Sequence, residues 1–169
     1  PNKQYIGTAG GLYKDKGVEV IYQAWEKLKH EMPNVHLVLA GPYQPDYPPP
    51  EEERVHYLGS LAHHEISTLF QALDLGIISI LDTPFGRYCF PQKAYEMLAC
   101  DLPVVVANIG EMSYLFRDSP QVLFQTDNAN DLASKIQQQL QSPQQQSIAV
   151  EDWATIIQRI EPMITALKF

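Results

Sequence analysis

The residues with the clearest chemical potential lie between Pro91 and Ala107. Pro91 predicts a helix start, because its fixed φ suits the first helical position and its missing N–H is not needed there. The backbone N–H groups of Gln92 and Lys93 would then be free to bind an anion, and the helix dipole favours negative charge at this end. Glu96 follows one turn later, within reach of a group bound at the helix start. The segment therefore predicts binding of an anionic ligand.

Two further segments have the composition of phosphate-binding loops. Gly10 and Gly11 lie between an apolar strand and an amphipathic helix, where glycines let the backbone approach a ligand closely. Lys16, just before that helix, could pair with a diphosphate. The alternative for this loop is a tight turn with a solvated lysine. Gly110 lies in the third segment, Asn108 to Met112, and is either a phosphate-binding glycine or a turn glycine.

Short buried strands alternate with amphipathic helices along the chain. The predicted strands are Gln4–Ala9, Val35–Ala40, Arg54–Leu58, Leu75–Leu81, Pro103–Ala107 and Val122–Gln125. This alternation predicts an α/β fold, a Rossmann-like three-layer sandwich with a parallel sheet of about six strands. Ligands of such sheets bind beyond the carboxyl ends of the strands, and all three candidate loops follow strands. Their convergence at one edge favours a phosphate-containing ligand.

Length and composition limit the function classes. The 169 residues predict one domain, with residues 148–169 as its C-terminal helical segment, and the missing initial methionine suggests a fragment of a longer protein. A net charge of -8 argues against a nucleic-acid surface but is compatible with a local basic pocket. Cys89 and Cys100 lack metal-site spacing, and the adjacent His63 and His64 point to different faces of a helix, so no metal site is expected. No apolar run is long enough to span a membrane.

The central segment follows a longer and more specific pattern, P-x-K-x-x-E-x-L-A-x-x-x-P-V-V. The residues at these positions are Pro91, Lys93, Glu96, Leu98, Ala99, Pro103, Val104 and Val105. The segment resembles a variant of the large family of retaining glycosyltransferases called group 1. The resemblance implies the GT-B fold, in which two Rossmann-like halves form the enzyme and the C-terminal half binds a nucleoside-diphosphate sugar such as a UDP-sugar.

The resemblance also implies roles for individual residues. Those implied for the donor diphosphate are Gly10, Gly11, Lys16, Gln92, Lys93, Gly110, Glu111 and Met112. Glu96 would bind the ribose hydroxyls, and the backbone near Ser60 and Leu61 would bind the base. Gly11 replaces an arginine of the family, and Tyr88 replaces a glutamate linked to the sugar and to catalysis. No catalytic residue is therefore transferred to this chain.

The same resemblance defines the expected partners and setting. The donor is a substrate, so no separate cofactor or metal is expected. An N-terminal domain of the same protein, outside this chain, would bind the acceptor, and peripheral membrane association would occur through that missing half. We expect a cytoplasmic enzyme of glycan biosynthesis whose isolated donor domain is inactive. The alternatives are a degenerate, non-catalytic nucleotide-binding or interaction module and, as a lesser option, a nucleotide-sugar epimerase.

Overall fold

The computed structural model describes residues 2–144, 146 and 148–167 and contains one parallel sheet. Its six strands lie in the order β3-β2-β1-β4-β5-β6, and every pairing between neighbouring strands is parallel. The strands are β1 (Gln4–Ala9), β2 (Val35–Ala40), β3 (Val55–Tyr57), β4 (Leu75–Ile78), β5 (Val104–Ala107) and β6 (Leu123–Phe124). The predicted Rossmann-like α/β fold with a parallel six-stranded sheet is confirmed.

Seven α-helices connect and flank these strands within the described residues. They are α1 (Val18–Glu31), α2 (His63–Ala72), α3 (Pro84–Tyr88), α4 (Gln92–Leu98), α5 (Gly110–Leu115), α6 (Ala129–Gln141) and α7 (Trp153–Thr165). The connection between β4 and α4 contains the short helix α3. Thr83 caps it by accepting a hydrogen bond from the Gly86 backbone N–H at 3.1 Å, and Pro84 begins it.

The fourth strand is shorter than its apolar run predicted. Ser79 and Ile80 are buried, but they leave the sheet after Ile78. The Ser79 hydroxyl donates to the carbonyl oxygen of Gly17 at 3.0 Å, so the chain turns towards the loop that precedes α1. Polar contacts with that loop replace the sheet pairing that the apolar run alone would predict.

The strand order creates a crevice between β1 and β4. The chain runs from β1 towards one edge of the sheet and from β4 towards the other, so the connections diverge at the carboxyl ends of these two strands. Right-handed crossovers in opposite directions place α1 on one face of the sheet and α2 and α4 on the other. Accordingly, α1 packs against α6, and α2 packs against α4.

The last helix lies outside the core. None of the residues of α7 is buried, and Trp153, Met163 and Ile164 are exposed, although the spacing predicts an apolar stripe. The helix continues through Pro162, although a proline inside a helix removes one backbone hydrogen bond. Residues 168 and 169 of the predicted C-terminal segment lie outside the described residues. None of the helices in the described ranges is long and apolar enough to cross a membrane.

Candidate functional site

A cavity of about 740 Å³ opens at the crevice between β1 and β4. Apolar residues of both strand ends and of α2 form its floor, among them Ala9, Ile78 and Phe70. Helices α2 and α4 form its two sides, and Gly10 and Gly11 border it at the end of β1. The cavity therefore lies where the strand order predicts a ligand site in this class of sheet.

Two lysines from different segments of the chain line this cavity. The Lys93 Nζ atom lies 3.3 Å from the Thr8 hydroxyl, and a Cβ atom placed on Gly10 would lie 3.4 Å from the same Nζ. The Lys16 ammonium lies 4.3 Å from the centre of the Phe85 ring. Burial, and next the charge of Lys16, lowers the pKa of Lys93 to about 8, while Glu96 opposes this shift. The cavity thus concentrates positive charge in an acidic protein.

Glycine geometry brings Lys16 to the cavity. Gly17 follows the Lys14–Lys16 turn with φ of +66°, and a Cβ atom there would overlap the Ser79 side chain. Only a glycine allows this approach without strain, because the left-handed conformation is costly for other residues. The neighbour of Gly11 is the Tyr13 ring, which a side chain at position 11 would overlap. An aromatic ring therefore lies beside the position where the family pattern has an arginine.

Gln92 and Glu96 form a hydrogen-bonded pair on α4. The Gln92 side-chain amide donates to Glu96 Oε1 at 2.8 Å, and both residues line the cavity. The Gln92 backbone N–H donates to the carbonyl oxygen of Phe90 at 2.9 Å, so an anion at this position would have to replace that bond. The Glu96 carboxylate can accept hydrogen bonds from hydroxyl groups of a ligand.

Four of the residues proposed from the sequence lie outside the cavity lining: Gly110, Glu111, Ser60 and Leu61. Gly110 has φ of +54°, and a Cβ atom there would overlap the Arg87 carbonyl of α3, so close packing of α5 on α3 requires this glycine. The same short helix contributes Met112 to the cavity. Ser60 is exposed and precedes α2, whose first residues do line the cavity. The binding roles proposed for these four residues stay predictions.

Tyr88 is exposed and lies outside the cavity lining. Its side chain, at the end of α3, is 88% exposed. Phe90 does line it, and its ring stacks on Tyr95 with 5.3 Å between the ring centres. Position 88 thus supplies no polar group to the cavity in place of the family's glutamate.

The sequence did not indicate the contribution of α2. His63, His64, Ser67 and Gln71 all line the cavity, although no role in a binding site was predicted for the two adjacent histidines. The missing information was the strand order, because α2 connects β3 at the sheet edge to β4 in the middle and must cross the crevice. Thr8 was missed as well, since a single threonine in a strand carries no functional pattern.

The side chains present suit an elongated anionic ligand with apolar portions. The lysines can neutralise phosphate charge, Glu96 can accept from hydroxyl groups, and the apolar floor can contact a flat ring. Among the described residues, no group of three His, Cys, Asp or Glu side chains is placed to hold a metal ion.

Comparison with known proteins identifies related sequences and folds. A family described as "Glycosyl transferases group 1" matches residues 3–142. Comparison with curated protein sequences finds no significant match. HepE of Anabaena, solved with UDP and glucose, is similar in structure with a TM-score of 0.80 and 22% identity over 98% of this chain. This chain covers 49% of that HepE chain, about half its length.

Two other solved structures have similar folds. The C-terminal domain of LpcC, a group 1 glycosyl transferase family protein of Francisella tularensis, has a TM-score of 0.68 and 19% identity, with 84% of this chain and 77% of that chain covered. The UDP-forming α,α-trehalose-phosphate synthase of Burkholderia xenovorans, solved with glucose-6-phosphate, has a TM-score of 0.67 and 12% identity, with 84% and 37% covered. At these identities the likeness shows the fold.

Proposed function

The chain belongs to the group 1 glycosyltransferases, and on that premise we propose that it is the donor-binding domain of a retaining glycosyltransferase that uses a nucleoside-diphosphate sugar. One observation carries the proposal: Lys16, from the turn before α1, lines the same cavity at the β1/β4 crevice as Lys93 and Glu96, which both lie on α4. Two cations and one hydroxyl acceptor in this arrangement match the diphosphate and ribose of such a donor.

The lysines would stabilise the leaving group of the reaction. When the glycosidic bond to phosphate breaks, negative charge accumulates on the diphosphate, and nearby ammonium groups lower the energy of that charged state. Lys16 reaches the cavity from the turn before α1 and Lys93 from α4, so together they could contact both phosphates. In this proposal ammonium groups neutralise the leaving group, and the enzyme needs no added metal or cofactor.

Glu96 and the apolar floor would orient the nucleoside. We assign the ribose hydroxyls to the Glu96 carboxylate, which Gln92 holds by a hydrogen bond of 2.8 Å. The base would lie in the groove between α2 and α4, above Ile66 and Phe70. Other HepE structures contain UDP alone and UDP-glucose, which supports a UDP-sugar as the first donor to test.

The acceptor would be bound by a second domain. This chain covers about half of HepE, and the exposed apolar side of α7 is compatible with a neighbouring domain. We therefore propose that transfer needs the longer protein and that this domain alone binds donor without transferring sugar. We expect the protein to work in the cytoplasm, with any membrane association made through the other domain.

Calorimetric titration with UDP, GDP and ADP tests the proposal. We expect saturable binding of UDP that is strongly weakened by Lys16→Met. Lys27→Met is the matched control, because Lys27 is an α1 lysine outside the cavity lining. Equal binding by the two variants would remove Lys16 from the site. For the longer protein, NMR of the product sugar gives the anomeric configuration, and an inverted product would contradict the retaining mechanism.

A second candidate function is a non-catalytic binding or interaction module. It is favoured by the missing arginine at Gly11 and by the exposed position of Tyr88, since both remove a polar group that the family pattern supplies. The same titration separates the two candidates. Absence of saturable binding for all three nucleotides would support the interaction module, whereas UDP binding with turnover by the longer protein would support the transferase.

A further inference from the structure

Lys93 is a lysine without an anionic partner in a largely enclosed position. Its ammonium nitrogen contacts the Thr8 hydroxyl at 3.3 Å, and it takes part in none of the ion pairs found among the described residues. A hydroxyl group can accept a hydrogen bond from either the charged or the neutral amine, so this contact does not require a proton on Lys93. The backbone at Gly10, just after β1, closes one side of the amine.

Taken together, the groups around Lys93 do not stabilise the positive charge of its ammonium group. Lys16, on the turn before α1, opposes it, and Glu96, one turn along α4, supports it. His63 and His64 of α2 line the same cavity, as do the thiols of Cys89 and Cys100. Burial, and next the charge of Asp101, raises the pKa of the Cys100 thiol, so this thiol is neutral and offers no counter-charge. No carboxylate from α2 or α5 lines the cavity.

We propose that Lys93 is a proton-linked donor sensor: in alkaline solution it is neutral in the empty cavity and regains its proton when the diphosphate of the donor binds. This inference rests on the proposed function, because it assigns the missing counter-charge of Lys93 to the donor. Lys16 supplies the other ammonium group of the site, while the charge on Lys93 depends on occupancy. Donor binding in alkaline solution is therefore coupled to uptake of one proton by this amine.

The size of the coupling follows from the empty protein. With a Lys93 pKa of about 8 in the empty cavity, most of these amines are neutral at pH 9. An adjacent diphosphate favours the charged form, so binding at pH 9 should take up about 0.8 proton. Because only the protonated form is ready to bind, UDP affinity should fall about twentyfold between pH 7.5 and 9.5. Lys93→Arg is the reference for this fall, because the uracil N3–H of UDP also loses its proton in alkaline solution.

The direct test is NMR titration of lysine side chains in protein labelled with carbon-13 at Cε, with and without saturating UDP. The Lys93 resonance, assigned by its loss in Lys93→Arg, should titrate near pH 8 in the empty protein and about two pH units higher with UDP. The resonance of Lys27, outside the cavity, serves as the internal control and should not respond to UDP. Because the titration is read in the unaltered protein, it does not depend on the folding of a variant.

Calorimetry gives an independent measure of the proton. UDP titrations at pH 9 in two buffers of different ionisation enthalpy should report uptake of about 0.8 proton in the native protein. Lys93→Arg keeps a charge at every pH used, so its proton uptake should be near zero, and any protonation change on the nucleotide is common to both proteins. Its UDP affinity should also fall less steeply with pH than that of the native protein.

The outcomes separate this inference from the proposed function. If UDP binds and the affinity depends on Glu96, but Lys93 titrates identically with and without UDP, the sensor proposal is wrong and the donor site remains. If Lys93 is fully charged at pH 9 in the empty protein, the sensor proposal is wrong as well. If neither UDP nor the other nucleotides bind, both proposals fail together.

Discussion

Replacing Glu96 by alanine should weaken UDP binding by roughly ten- to a hundredfold. The carboxylate lines the cavity and has one hydrogen bond within the protein, from Gln92 at 2.8 Å, so other lone pairs remain for ribose hydroxyls. A hydrogen bond to a charged group contributes about 1.5–3 kcal/mol. The expected loss follows from the conversion of about 1.4 kcal/mol per tenfold change in affinity.

The assay is isothermal titration calorimetry with UDP and with 2′-deoxy-UDP. Removing the hydroxyl should weaken binding to the native protein but have little effect on Glu96→Ala, because the bond is already lost. Glu19→Ala is a matched control. Glu19 also accepts a hydrogen bond from a glutamine four residues away, Gln23, at 3.3 Å, but it lies on α1 outside the cavity.

Two results would refute this reasoning. Equal affinity of native protein and Glu96→Ala for UDP would show that the carboxylate does not contact the nucleotide. Equal losses for UDP and 2′-deoxy-UDP would show that Glu96 acts on the site through its shape or folding and not through the ribose.

Three further predictions concern the scaffold and are read from urea unfolding. Arg54→Ala should lower the unfolding free energy by about 2–4 kcal/mol, because its guanidinium donates to the carbonyl oxygens of Lys29, Met32 and Val35. Arg117→Ala is the control: at this exposed site the loss of unfolding free energy should be about 0.5 kcal/mol or less. Gly110→Ala should destabilise more than Gly59→Ala, since both glycines have positive φ but only the first would overlap backbone; equal losses would contradict the packing role. Burial, and next the charge of Lys3, lowers the pKa of His36, so the unfolded chain binds a proton more readily than the folded protein. The unfolding free energy should therefore fall as the pH drops below about 6.5, by at most about 1.4 kcal/mol per pH unit. His36→Asn should remove this dependence of the unfolding free energy on pH.

The sheet could be predicted from the sequence because several of its strands are short apolar runs, of which β2, β4 and β5 are wholly buried. Such runs are typical of parallel strands covered by helices, and turn residues mark their ends. Val35–Ala40 and Gln4–Ala9 match their observed bounds for this reason. The apolar run from Leu75 continues beyond its strand, because Ser79 and Ile80 are buried against the loop before α1 instead of pairing in the sheet.

The candidate site was predictable where local pattern and position agree. Lys16 and Lys93 each lie beside a strand-to-helix connection, so their convergence follows from the fold class. The contribution of α2 depends on the strand order, which local periodicity does not encode. At Gly110 the sequence pattern did not indicate the local packing. A glycine after a strand suggests a phosphate-binding loop, whereas in the structure the neighbour of Gly110 is the backbone of α3.

A crystal structure with bound UDP tests the central claim most directly. The account predicts that the diphosphate lies in the β1/β4 cavity within hydrogen-bond distance of the Nζ atoms of Lys16 and Lys93, with a ribose hydroxyl donating to Glu96. UDP bound at another surface, or in this cavity with neither lysine near the diphosphate, would contradict it.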